Sequence, residues 1–149
     1  MNFSIDQLAN AASSVASPDA ETSDGTLNLP KALVGALVGA LAAGLVYGVV
    51  GRFVGEFSYL AVVIGSAAGL AAVRLGGKPS PVAGGVAAVA SLIMVLAAKV
   101  IVGSPAGISW LSYHTTLFDI MFCYIANPVA AFVAGGTGAG RGLLSRLPF

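Results

Sequence analysis

The sequence predicts an all-α integral membrane bundle of four transmembrane helices. Three observations carry that expectation. Of 149 residues, 57% are hydrophobic and only 9% charged, against roughly 25% charged in ordinary soluble domains. Such a chain lacks the polar material to cover a water-facing surface. The apolar residues gather into four stretches of about 20, the length that crosses a ~30 Å hydrocarbon core as a helix. Between the stretches stand glycine, proline and the charged residues, which are the breakers and anchors such helices need.

Residues 1–29 form an acidic N-terminal tail carrying Asp6, Asp19, Glu21 and Asp24 without a basic residue. A secretory signal opens with positive charge and a mitochondrial presequence with arginines, so neither is expected. Phe3, Ile5, Leu8, Ala12 and Val15 fall on one helical face behind the capping-box form Ser4-Ile5-Asp6-Gln7, which predicts a short amphipathic helix over 4–16. SPDAETSDGTLNLP then reads as an acidic linker.

The transmembrane domain is expected over 30–149. Its first helix, 30–50 (PKALVGALVGALAAGLVYGVV), starts with Pro30 in the first turn, where a missing N–H is harmless. The second, 57–75, is bracketed by Arg52 and Glu56 before it and by Arg74 and Lys78 after it. The third, 82–103, is opened by GGKPSP and closed by GSPAG. The fourth, 116–136, begins with the capping-box pattern Thr116-Leu117-Phe118-Asp119, whose carboxylate would face the positive end of the helix dipole. Short gaps force antiparallel hairpins between the first and second helices and between the second and third. Residues 105–113 (PAGISWLSY) are too short to span, and Trp110 and Tyr113 place them in the interface with Phe53, Phe57 and Tyr59. Lys31, Arg74, Lys78, Arg141 and Arg146 fall on one side and Arg52 and Lys99 on the other. The positive-inside rule then predicts a multi-pass membrane protein with both termini cytoplasmic.

Small residues recur at every fourth position. Ala32, Ala36, Ala40, Gly44 and Gly48 line the first helix, with Gly35 and Gly39 beside them. Ala61, Gly65 and Gly69 line the second, Gly84 and Ala88 the third, and Ala126, Ala130, Ala134 and Gly138 the fourth. Lipid is as apolar as leucine, so membrane helices associate by close backbone approach, which such stripes permit. The pattern predicts tight helix packing, within one chain or in a homo-oligomer.

The residues able to carry chemistry are few. Lys99 and Asp119 would meet near one surface, with Arg52, Glu56 and His114 at the same level, as a depth-setting interfacial group or as a titrating cluster. Asn127-Pro128 sits at the waist of the fourth helix. Pro128 removes the bond its N–H would give to the carbonyl of Tyr124, and the Asn127 side chain is adjacent to serve it, so a kinked helix with its own polar patch is expected. Asn-Pro also occurs at the broken helices of aquaporin-like channels, but those use two Asn-Pro-Ala copies on six spans, against one Asn-Pro-Val here. A single His and a single Cys leave no metal triad, no disulfide and no HExxH or GxSxG arrangement. Cys123 is expected in lipid, where a thiolate hardly forms. GGTGAGRG at 135–142 lacks the lysine of a phosphate loop. No catalytic residue, cofactor or metal is therefore expected, and a net charge of +1 gives no reason to expect nucleic acid as a partner.

The Gly-rich first hairpin (GALVGALVGALAAGLVYGVVGRFVGEFSYLAVVIGSAAGLAAVRLGG) and the last span opened by LFDIMF resemble those of small bacterial membrane proteins over residues 30–136. That resemblance implies the architecture and a place in the cell membrane, the bacterial inner membrane, and brings no activity or binding residues with it. The expected function is that of a non-enzymatic accessory or scaffolding subunit of a larger membrane assembly, in contact with membrane lipids and with a protein partner or further copies of itself. The alternative is a small oligomeric channel or transporter with a polar path through Asn127, Asp119 and Lys99.

Overall fold

The computed structural model describes residues 26–55, 57–104, 106, 115–137 and 139, and these are helical with no strand among them. Helix α1 runs Leu29–Phe53, α2 Ala61–Gly76 behind a 3-10 turn at Ser58–Leu60, and α3 Pro81–Val102. The last span, α4, covers Leu117–Gly136. All four are long and apolar enough to cross a membrane. The expected amphipathic helix at 4–16, with Trp110, Tyr113, Glu56, His114, Arg141 and Arg146, lies outside the described residues.

The ends follow from local chemistry. Asn28 caps α1 by accepting from Lys31 N–H, with Pro30 in the first turn, and Ser80 caps α3 by accepting from Ala83 N–H, with Pro81 leading. Gly77 ends α2 in the left-handed conformation, φ 83°, which a side chain would resist. Backbone bonds then knit one end of the bundle, from Asn28 N–H to Gly76 O at 3.1 Å and from Ser80 N–H to Gly135 O at 3.1 Å. This is called the first end below. Helix α1 starts there, α2 ends there, α3 starts there and α4 ends there.

Helices α2 and α3 touch across the middle, and α1 and α4 each pack along both of them from opposite sides. Several of the small residues lie where two helices approach closely. A side-chain carbon on Gly39 would meet Ala67 O at 2.5 Å across α1–α2. One on Gly69 would meet Ala131 O at 2.5 Å across α2–α4, and one on Gly84 would meet Phe132 O at 2.7 Å across α3–α4. Gly35 lies against Ala71, and Gly65 against Asn127. Gly44 and Gly48 face α3 more loosely, with Met94 and Ala98 about 3.6–3.7 Å from a built carbon. On α4 Ala134 is buried, Ala126 and Ala130 are half-buried, and the deepest line runs through Asp119, Cys123, Asn127 and Ala131.

Polarity is inverted relative to a water-soluble domain. Leu33, Val38, Val46, Val63, Val89, Ile93 and Ile125 are among the large apolar side chains that face outward. Lys99, Asp119, Asn127 and Ser91 are among the largest fully buried ones. Far more apolar surface is exposed than a soluble monomer carries.

Candidate functional site

The residues that matter most converge at the second end of the bundle, where α1 and α3 finish and α2 and α4 begin. Asp119 is placed by the first turn of α4. The Thr116 hydroxyl accepts from Asp119 N–H at 3.2 Å, completing the capping box that the sequence pattern predicts. Asp119 Oδ2 accepts from Thr116 N–H and from the Thr116 hydroxyl, each at 2.8 Å. Its other oxygen, Oδ1, accepts from Lys99 Nζ at 2.8 Å and from the Ser58 hydroxyl at 2.5 Å. Both charged side chains are buried, with relative exposures of 2% and 3%.

A buried charge is tolerated only when paired and hydrogen-bonded. Here four donors from three segments meet one carboxylate, so α3, α4 and the turn before α2 are tied at one point. Cys123, one turn along α4, is fully buried. Its Sγ lies 3.9 Å from Asp119 Oδ1, 3.7 Å from Ser58 O and 4.0 Å from the Tyr47 hydroxyl. Tyr47 brings α1 into the cluster beside α3, α4 and the turn before α2. The expectation that Cys123 lies in lipid is corrected by this: the side chain faces the bundle interior, because it continues the inward line of Asp119 and Asn127 at four-residue spacing.

Arg52 extends the tie at the surface. Its Nη1 donates to Val102 O at 3.3 Å and to Ser104 O, placing a cation on the carbonyl-rich C-terminus of α3. Of the expected interfacial group, then, Lys99 and Asp119 are brought together and Arg52 sits nearby on another partner.

Asn127 lies about two turns deeper. The stretch before it, Ile120–Ala126, is π-helical, and Asn127 N–H donates to Phe122 O, five residues back. The wider π turn gives the Pro128 ring the room that an α-helix denies it at the carbonyl four residues earlier. The expected service of the Asn127 side chain to that carbonyl does not occur. The residue is 0% exposed, and both its Oδ1 and its Nδ2 lack a hydrogen-bond partner. Gly65 makes way for it: a carbon built there would meet Asn127 Oδ1 at 2.8 Å. Ser91, also fully buried, donates to Ala88 O at 2.9 Å on its own helix.

Sequence spacing pairs Lys99 with Asp119 but misses Ser58 and Tyr47. The available signal for Ser58 is a hydroxyl in the first turn of the helix that must run beside α4 at the level of Asp119. No group of three or more His, Cys, Asp or Glu able to hold a metal ion occurs among the described residues. Comparisons with protein-family models, with curated proteins and with solved structures find no match for the chain. Any functional reading therefore stands on the geometry alone.

Proposed function

We propose that the chain is a non-enzymatic, multi-pass integral membrane protein that serves as a scaffolding or accessory subunit of a larger membrane assembly. The observation that carries this is the use made of its interior polar groups. The carboxylate of Asp119 holds four donors and turns no free lone pair toward a substrate, while the seams on either side are closed by backbone-to-backbone contact. The charges tie helices together, and the exterior between the helix ends is left apolar for lipid or a neighbouring protein. The acidic segment 1–29 is the element available to dock a partner in water. Deleting residues 1–25, which spares the Asn28 cap of α1 and its bond to Gly76 O, should abolish co-purification of a partner protein from mild detergent while leaving the helical core intact. Unchanged, partner-free behaviour of the intact chain would reject the reading.

A second reading, a small oligomeric channel or transporter, is favoured by one observation, the buried and unpartnered amide of Asn127 on the same inward line as Asp119. Reconstitution of the purified chain in liposomes separates the two. Ion or solute flux that disappears in Asn127→Leu supports transport, and a sealed bilayer supports the scaffold.

A further inference from the structure

Helix α4 is wound in two ways. From Ile120 to Ala126 it is π-helical, and from Asn127 to Gly136 it is α-helical. A π turn closes on the fifth residue instead of the fourth, so it takes up about one residue more than an α turn. The half beyond the π turns is therefore out of step with Asp119 by about one residue, or ~100° about the helix axis. In unbroken α-helical phase, the inward line through Asp119 and Cys123 would continue through Ala126 and Ala130, two members of the stripe of small residues. The π turns move that line on by one position. Asn127 and Ala131 are fully buried in consequence, and Ala126 and Ala130 are only half-buried.

The observed winding leaves a polar group unanswered. Asn127 is 0% exposed with neither Oδ1 nor Nδ2 paired. Pro128 also has no N–H with which to continue the π ladder past the bond from Asn127 N–H to Phe122 O. An acceptor for the amide lies at the same level on α3. Gly84 of α3 faces Phe132 O and Gly136 of α4. About two turns along α3 from that contact, on the same face as Gly84, stands Ser91, and about two turns back along α4 stands Asn127. The Ser91 hydroxyl is buried and donates to Ala88 O at 2.9 Å, so its oxygen keeps lone pairs that can accept. The side of α4 that meets α3 is one residue on from the side that meets α2. Gly69 of α2 lies against Ala131 O and Gly135 N, whereas Gly84 of α3 lies against Phe132 O and Gly136 N. Turning this half of α4 forward by one residue therefore carries Asn127 away from Gly65 of α2 and toward Ser91 of α3.

We propose that the π stretch is a register switch. In its second state 120–126 is α-helical, Ala126 and Ala130 take the places of Asn127 and Ala131 against α2, and the Asn127 amide donates to the Ser91 hydroxyl. Asp119 stays fixed by its four donors, so the half beyond it is what turns. The observed winding remains the major one because of what the rotation brings inward. Val133 comes to where Ala134 lies beside Gly69, and Ala134 to where Gly135 lies, a place in which a side-chain carbon meets Gly84 at 3.1 Å. The motion reaches the first end of the bundle, since Gly135 O accepts there from Ser80 N–H at 3.1 Å. It needs neither a partner nor a transported species, so it stands or falls apart from both functional readings.

The test uses full-length chain in bicelles with isotope-labelled asparagine, the Asn127 side-chain signal being identified by its loss in Asn127→Leu. Helix register shifts fall in the microsecond-to-millisecond range, which relaxation dispersion reads. That signal should show exchange with a minor state. Val133→Ala, at a position facing outward in the observed winding, should raise the minor population severalfold. Ser91→Ala should lower it about fivefold, the loss of one hydrogen bond. Ala130→Leu should abolish the exchange, because leucine is too large for the fully buried place of Ala131; if that variant misfolds, the milder Ser91→Ala still decides. A flat profile in both the native and the Val133→Ala chains would overturn the switch. So would exchange undiminished in Ser91→Ala, or a minor population that falls in Val133→Ala.

Discussion

At the scale of single residues, the Lys99–Asp119 pair is where one atom changes most. Breaking a buried pair strands a charge in a medium that cannot solvate it, at a typical cost of about 3–5 kcal/mol. Asp119→Asn should therefore lower unfolding stability in detergent micelles by about that amount, because the Lys99 ammonium loses its carboxylate. Lys99→Met should cost less, since Asp119 keeps the Ser58 hydroxyl at 2.5 Å and two donors from Thr116. The double variant Lys99→Met/Asp119→Leu should recover most of the loss, and a coupling near zero in that cycle would mean the pair is not formed. Asn127 leads to the opposite sign. An amide buried with neither atom paired is destabilising by about 1–3 kcal/mol, so Asn127→Leu should hold or raise the unfolding midpoint, and a clear fall would reveal a partner for the amide. Spacing alone made Lys99 and Asp119 legible, because antiparallel spans bring the last turn of α3 and the first turn of α4 to one level. The state of Asn127 was not legible. Whether an amide turns to its own helix or to a neighbour depends on helix rotation, and the π turns of Ile120–Ala126 set that rotation here.

At the scale of elements, the stripes of small residues give each helix a flat face without naming the helix that will meet it. The four apolar stretches, the Thr116–Asp119 cap and the stripes could be read from proline, glycine and four-residue spacing; the Asn28 and Ser80 caps and the last turn of α1 to Phe53 could not. The separation of the α1 stripe into an α2-facing part and an α3-facing part could not, because it arises from how α1 leans. The difference between close and loose seams has a measurable consequence. A methyl at Gly69 meets Ala131 O at 2.5 Å and Gly135 N at 2.9 Å, backbone atoms that move only with a whole helix. Gly69→Ala should then separate α2 from α4 and destabilise by about 1–3 kcal/mol, the range for overpacking. Gly44→Ala meets nothing closer than 3.6 Å. It gains contact and up to ~1 kcal/mol of helix propensity, so it should be neutral or stabilising. Paired unfolding curves in one detergent decide the matter, and equal effects from the two substitutions would mean that the seams are not distributed as described.

At the scale of the whole molecule, the even number of spans and the two backbone ties at the first end place residues 26 and 139 together, away from the connections at 54–57 and 103–116. Orientation then depends on which end repels translocation. The sequence count is five basic residues against two, but the structure sharpens it. Of the two at the second end, Lys99 is neutralised inside the bundle by Asp119 at 2.8 Å and Arg52 is held on the carbonyls of Val102 and Ser104. Neither is a freely hydrated cation of the kind that holds a loop in the cytoplasm. At the first end Lys31 and Arg74 stand exposed with Lys78 beside them, so the first end should face the cytoplasm. In a Cys123→Ser background, a single cysteine at Val54 or Ser104 should react with a membrane-impermeant maleimide in intact spheroplasts. One at Thr26 or Ala139 should react only after the membrane is opened. The reverse pattern would invert the protein. It would also show that masked charges at the second end still count in insertion, before the fold that neutralises them has formed. Asp119→Asn distinguishes those cases. If pairing in the finished fold is what removes Lys99 from the tally, freeing the ammonium should weaken the orientational bias and produce a mixed labelling pattern. If topology is fixed before the helices meet, the labelling should not change.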